Sequence, residues 1–450
     1  MRTFLVTAAA SMAALVSVSP SLAGEDFNAR LDRLAAEISR QGEIIREQQQ
    51  TIEMLKEELA IQKNQEAPLP VQAAGNAPPP AAATGFFGGS ALGNPNLSLV
   101  LDTFAYASER TSGELEERGI PGFTTNGLEQ RRGFNLRAAE LYIFAPVDPY
   151  CNLYAALPVT EDGVELEEAY AVTTSLPGGL QAKGGKFKSN FSRLDAQHPH
   201  AWDFYDIALP YRAFLGDEGL GGEKGVQLTW LPATSVYTQF GAEALQGDND
   251  LLFGADAASG PHAFSLFVKS SLDVTDNSTL YFGPSVLFGK TRNSSIAADA
   301  EFDGDSALYG MEAVWKWKPD STRGFTLQSE YLYLDQRGDL FEAAASLGDE
   351  LRRRQDGAYL QGIYQYGRWR FGTRFDMLEL FADSFRRQGE EQELGDTPWR
   401  GTGAIEFNPS EFTRIRLQYN HDESSRDGRS NDEAILQFLF GIGAHAGHSF

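Results

Sequence analysis

The chain has 450 residues and a formal charge of −24, and an acidic balance of that size argues against nucleic acid as a partner. Its one cysteine, Cys151, precludes an intrachain disulfide. Mean hydropathy is slightly negative, and beyond the amino terminus no apolar run is long enough for a membrane-spanning helix. A membrane crossed by strands stays open, because their polar and apolar residues alternate and cancel in any average.

Residues 1–23 combine Arg2, an apolar stretch from Phe4 to Val18 and the small-x-small site Ser21-Leu22-Ala23. This predicts a secretory signal peptide removed before Gly24. Across 24–64 a heptad follows: Leu31, Ile38, Ile45, Ile52 and Leu59 at one core position, Phe27, Leu34, Gln41, Gln48, Leu55 and Gln62 at the other. Ile-rich positions opposite several Gln suit a trimeric α-helical coiled coil reaching into a periplasm; the alternative is one amphipathic helix lying on another domain. Residues 65–95 carry PLP, APPPAAA and GFFGG with no apolar period, so they read as a linker.

From Asn96 onward, alternating segments recur between two kinds of connection. Some are tight, such as Asp148-Pro149-Tyr150, Pro177-Gly178-Gly179, Asp276-Asn277 and Tyr366-Gly367-Arg368. The others are long and charged: 110–132, 188–225, 248–261, 292–305, 339–356, 381–398 and 425–431, with only 159–163 short. Short turns on one side and long polar loops on the other predict an all-β, antiparallel transmembrane β-barrel over 96–450, of about sixteen strands. The last strand, 432–450, puts Leu436, Phe438, Phe440 and Ile442 on one face and Gln437, Gly441, Gly443 and His445 on the other, and it ends on Phe450. It is expected to pair with 96–109 and leave no edge.

Phasing the strands by their aromatic residues gives the lumen side. In 368–380, Trp369, Phe371 and Phe375 face lipid, so Arg370, Arg374 and Asp376 face inward. The same alternation turns Arg414, Arg416, Gln418 and Asn420 inward in 413–424, and Arg400 and Glu406 in 399–408. In 305–318 it turns Glu312, Lys316 and Lys318 inward. A charge facing lipid at mid-depth costs about 2–4 kcal/mol, which favours this phase over its opposite. The resulting arginine ladder reads either as an electrostatic filter for anions or as Arg–Glu pairs across strands that stiffen a wet wall.

The loop 188–225 holds Phe191, Trp202, Phe204, Tyr205, Ile207, Leu209, Tyr211, Phe214 and Leu215, too many apolar side chains for a freely solvated segment. It is expected to fold into the barrel and narrow the pore, with Lys183, Lys186, Lys188 and Arg193 placing positive charge near the constriction. His198 and His200, with Asp195, Asp203 and Asp206 nearby, are the candidate ligands for a divalent cation such as zinc. The chain carries no GxSxG, HExxH, P-loop or paired-Cys pattern, and an enzyme is not expected. The nearest approach to a catalytic group is His421 with Asp422 and Ser424.

The stretches GFNLRAAELYIFAPVDPY, VELEEAYAVTTSLPGGLQAKGGKFKSNFSRLDAQHPHAWDF and WRFGTRFDML resemble a proteobacterial outer-membrane group. Its members are labelled zinc-regulated TonB-dependent receptors and look distantly like the phosphate-selective porins O and P. The resemblance covers most of 96–450, and 164–206 is its most specific part. The porin relatives imply a trimeric, sixteen-stranded, anion-preferring channel, and the receptor label implies a barrel of about 22 strands. The expected partners are outer-membrane lipid, lipopolysaccharide and two further copies of the chain. No cofactor is expected beyond the divalent cation at His198 and His200. A substrate-specific receptor or metal-uptake protein is the alternative to a passive porin.

Overall fold

The computed structural model describes residues 95–443 apart from 121, 125–130, 255–259, 298–299, 343–347 and 426–427. The expected signal peptide, heptads and linker, and the chain end from 444 to Phe450, lie outside these residues. Nine strands build the first part of the wall: β1 Asn96–Ser108, β2 Gly133–Asp148, β3 Cys151–Val159, β4 Glu168–Thr173, β5 Leu180–Lys188, β6 Gly222–Trp230, β7 Tyr237–Leu245, β8 Ala263–Thr275 and β9 Ser278–Ala297. The second part holds β10 Ala300–Trp317, β11 Arg323–Glu342, β12 Asp349–Tyr366, β13 Trp369–Arg387, β15 Trp399–Ser410, β16 Thr413–Asp422 and β17 Asn431–Gly443. A two-residue piece, β14 (Glu390–Glu391), folds back on the end of β13.

Sixteen wall strands therefore stand among the described residues, each antiparallel to its neighbours. β1 pairs on one side with β2 (Leu99↔Leu141) and on the other with β17 (Leu99↔Ile442). This closes the sheet and removes its edges, as the alternation in 432–450 predicts. Closure on sixteen strands agrees with the porin side of the resemblance and not with the receptor label.

The expected loops 292–305 and 339–356 are largely strand, and β13 carries strand into 381–398 as far as Arg387. The β9–β10 ladder runs out to Ala297↔Ala300, and β11–β12 out to Leu340↔Asp349. Beyond the bilayer both faces of a hairpin are wet, so the apolar period fades while backbone pairing persists. A reading keyed to hydrophobic alternation therefore ends the strand too early.

The lumen phase agrees with that set by the aromatic residues. Phe371, Phe375, Ile405, Leu417 and Tyr419 are exposed on the outer face, whereas Arg374, Asp376, Arg400, Glu406 and Arg416 are buried inside. Segment 189–221, between β5 and β6, lies against that inner face. It contains a short helix, α2 (Leu209–Leu215), every residue of which is buried, and Gly216 ends the helix at φ +97°, a conformation open to glycine. Phe191, Trp202, Ile207, Leu209, Tyr211 and Phe214 form the main apolar cluster together with lumenal Leu308, Leu332, Tyr359 and Leu378.

Two wall glycines act as seats for this loop. A Cβ on Gly372 would stand 3.1 Å from Cζ of Phe204, and one on Gly310 would stand 3.3 Å from Cζ of Phe191. A second inward segment carries α1 (Ser112–Glu116), whose start is fixed by a reciprocal Thr111–Glu114 capping box. Beyond it, Phe123 meets Phe214 edge-on at 5.4 Å, and Arg118 pairs with Asp422 at 3.2 Å.

Candidate functional site

The inner wall from β13 to β16 grips segment 189–221 through charge. Arg370 reaches Asp203 at 2.5 Å and Glu406 at 2.9 Å. Arg374 and Arg400 share Asp206, at 3.2 and 2.7 Å, and both also meet Asp376. Arg414 donates to the carbonyl of His200 at 3.0 Å, and Arg416 donates to that of Trp202 at 2.8 Å while pairing with Glu406. Arg137 on β2 donates to the carbonyl of Tyr205 and lies over its ring, as Arg374 lies over Phe204.

The ladder thus comes together as the alternation implies, and each of these arginines is occupied by carboxylates or loop carbonyls. Burial alone would raise the Asp206 carboxyl; the Arg400 and Arg374 guanidinium groups outweigh it and hold the carboxyl down at about 2. Asp203 is likewise held low against burial, chiefly by Arg370.

The other predicted charges are dispersed. Lys183 lies over the rings of Tyr170 and Phe187, and Lys186 donates to the carbonyl of Leu166. Arg193 donates Nε to Gln328, and its backbone N–H to Glu330. Glu312 is buried against Lys269 Nζ at 2.5 Å, and Lys316 is half-buried on the same inward face of β10. His421 meets Asp432 at 2.7 Å, whereas Ser424 donates to Asp422. Successive strand residues point to opposite faces, so the His421–Asp422–Ser424 grouping does not assemble.

The histidine site needs a correction of partners. Asp195 accepts from Ser192 and from the Leu220 backbone, while Asp203 and Asp206 are drawn off by the wall arginines. His198 and His200 turn instead toward β2 and the start of β4. His198 Nδ1 stands 3.1 Å from both Glu140 Oε1 and Glu167 Oε2, and its Nε2 stands 2.9 Å from Glu168 Oε2. His200 Nδ1 is 3.0 Å from Glu140 Oε2, and the two imidazole rings stack at 5.5 Å. Burial pushes the His198 imidazolium down, but bonds to Glu167 and Glu168 and the Glu140 charge overcome it and raise it to about 10.

Sequence reasoning missed all three glutamates and Arg137. A signal for Glu140 was present: a lone carboxylate inside AAELYIF has to face the lumen.

Two cavities meet at this cluster. One, of about 90 Å³ on the long-loop side, is lined by Asp102, Arg137, Glu140, Glu165, Glu167 and Glu218. The other, of about 490 Å³ toward the short turns, is lined by Asn408, Glu411, Thr413, Arg414 and Gly443. Val100 and His200 line both.

These features define an antiparallel barrel of the outer-membrane porin type, with one loop packed inside its wall. The chain belongs to the same family as an uncharacterized protein of Aquifex aeolicus (strain VF5), with which it is 39% identical over 381 residues, 79% of this chain and 80% of that one. No protein-family profile matches it. Among solved structures, the outer membrane channel DcaP of Acinetobacter baumannii shares the fold at a TM-score of 0.52 and 12% identity, over 78% of this chain and 97% of that one. Pseudomonas putida OprB superposes at 0.48 with 11% identity, covering 78% of this chain and 94% of that one. The anion-selective porin from Comamonas acidovorans does so at 0.47 with 8% identity, covering 78% and 99%.

Proposed function

We propose that this chain is a porin-like outer-membrane channel for passive diffusion of small solutes, with segment 189–221 as its constriction. The carrying observation is that the loop occupies the β11–β16 side of the lumen, while cavities from either end converge on His200 and Val100 beside β1–β4. An anion preference was the expectation from the arginine ladder. Those arginines are engaged in ion pairs and loop carbonyls, and Glu140 and Glu167 in the outer cavity are likewise held by the histidines and Lys188, so a cation preference rests on the exposed mouth carboxylates Glu165 and Glu218.

Planar-bilayer recording on pure folded protein tests this. Stepwise conductance is expected, with a reversal potential in a KCl gradient that favours the cation. Glu165→Gln with Glu218→Gln, two exposed mouth residues, should reduce that preference. Silence from folded protein sinks the channel reading, and anion selectivity restores the arginines as the filter.

Assembly as a homotrimer in lipid and lipopolysaccharide belongs to the same proposal. The heptads at 27–62 support it, as does an outward groove of about 710 Å³ lined by small residues such as Ala171, Ala182, Gly184, Ala242 and Ala244. The mass of the full chain in detergent should correspond to three copies and should fall when residues 27–62 are deleted.

A further inference from the structure

We propose that Glu140, Glu167 and His198 form a divalent metal site of nitrogen-and-carboxylate type inside the barrel, at the junction of the two cavities. The side chains come from three separate stretches: Glu140 from β2, Glu167 from the approach to β4, and His198 from the inward loop. One ligand atom from each lies within 4.8 Å of the others.

Three of the six ligand-capable atoms of this trio are held by groups outside it. Glu140 Oε2 faces His200 Nδ1 at 3.0 Å, Glu167 Oε1 holds Lys188 Nζ at 2.9 Å, and His198 Nε2 is held by Glu168 Oε2 at 2.9 Å. The remaining atoms, Glu140 Oε1, Glu167 Oε2 and His198 Nδ1, converge on one another, with Nδ1 3.1 Å from each oxygen. Glu140 is 6% exposed, and its Oε1 has no hydrogen-bond donor in line with it. This buried carboxylate oxygen is aimed into the cluster, where the His198 ring at 3.1 Å balances its charge without an aligned hydrogen bond, a role that an ion at the same point would take over.

The outer contacts are those a metal centre uses. Glu168 on the far nitrogen of His198 fixes the ring orientation and tautomer, and Lys188 and His200 orient the two ligating carboxylates. A zinc-sized ion with bonds of about 2.0–2.2 Å holds its donors about 3.3–3.6 Å apart, so the three atoms need only small side-chain shifts. The ion takes the place of the Nδ1 proton, which leaves to solvent, and the adjoining cavity admits a water as the fourth ligand. One imidazole with two carboxylates selects zinc, cobalt or manganese over calcium and magnesium, which prefer all-oxygen shells.

This deepens the channel reading, because the ion would sit beside His200 where the cavities meet, but its test is independent of conduction. Full-length protein, stripped of metal and shown to be folded by heat-modifiable gel mobility, is titrated calorimetrically with Zn²⁺. Co²⁺ is added in parallel, with its visible absorption as the coordination readout. One ion per chain is expected, with a four-coordinate Co²⁺ spectrum and no displacement by equimolar Ca²⁺ or Mg²⁺. The isosteric Glu140→Gln and the double Glu140→Gln, Glu167→Gln should each weaken binding about a hundredfold or more. Absence of binding to folded wild type overturns the site, and so does unchanged affinity in folded Glu140→Gln. Conductance without metal binding removes this inference alone, and metal binding without conductance removes the channel reading alone.

Discussion

Asp206→Ala is expected to undock the inward loop and raise conductance, because one carboxylate serves four wall side chains. Asp206 receives Arg374 and Arg400 at 3.2 and 2.7 Å, and also Gln418 and Asn420 at 2.6 and 3.3 Å. The arginine side chains are 2% exposed. Removing one member of so buried a pair strands the other, a loss of about 3–5 kcal/mol. Asp376 still meets both arginines, so the wall itself should hold. The variant should show proteolytic nicking within 189–221 and larger single-channel steps; a protected loop with unchanged steps contradicts the latch.

The same carboxylate predicts an acid transition. Its folded pKa of about 2 lies below the ordinary aspartate value of about 3.9. Docking stability from Asp206 is therefore fully present above about pH 4 and is lost as pH falls through about 2. Wild-type conductance should rise over that window, while the alanine variant, already undocked, should lack the step.

Much of the wall was legible because a barrel strand obeys one local rule. Trp369, Phe371 and Phe375 alternate with Arg370, Arg374 and Asp376, and that alone fixes which side each faces. The loop's burial was equally legible, since the large apolar residues from Phe191 to Leu215 between β5 and β6 have nowhere else to go. Pairing partners across the lumen were not. His200 meets Glu140 across 60 positions, and Asp206 meets Arg400 across nearly two hundred. Such contacts depend on how the loop lies inside the cylinder, which no periodicity encodes. Sequence proximity misled at His198, where the nearby aspartates turned to arginines on other strands. Their guanidinium forks offer a carboxylate more than a neighbouring imidazole does.

The chemistry of the interior divides along its width. On the β13–β16 side, wall arginines surround the loop carboxylates Asp203 and Asp206 and hold the loop in place. On the β1–β5 side the signs reverse: the wall brings Glu140, Glu167 and Glu168, and the loop brings two histidines. A loop that carries Asp203 and Asp206 a few residues after His198 and His200 can lie in only one direction against such a wall. Electrostatic complementarity thus sets its register before packing does.

Packing then supplies the other large term, and Tyr211 is where it concentrates. The ring is fully buried in α2 beside Tyr359, and its hydroxyl donates to Glu330 at 2.5 Å. Glu330 also accepts from the Tyr359 hydroxyl and from the backbone N–H of Arg193, so it remains bonded if Tyr211 loses its oxygen. Tyr211→Phe should therefore cost only about 0.5–1.5 kcal/mol of docking free energy. Tyr211→Ala, which also leaves a cavity among Leu209, Phe214 and Tyr359, should cost about 3–5 kcal/mol. Hydrogen exchange over Leu209–Leu215 reads both, and the alanine variant should lose protection there while the wall strands keep theirs. Tyr211 and Asp206 anchor the loop to different strands through no shared partner. Their combined loss should therefore be close to the sum of the separate ones, up to complete undocking. A double variant no worse than Asp206→Ala alone would mean that the single change already frees the loop completely.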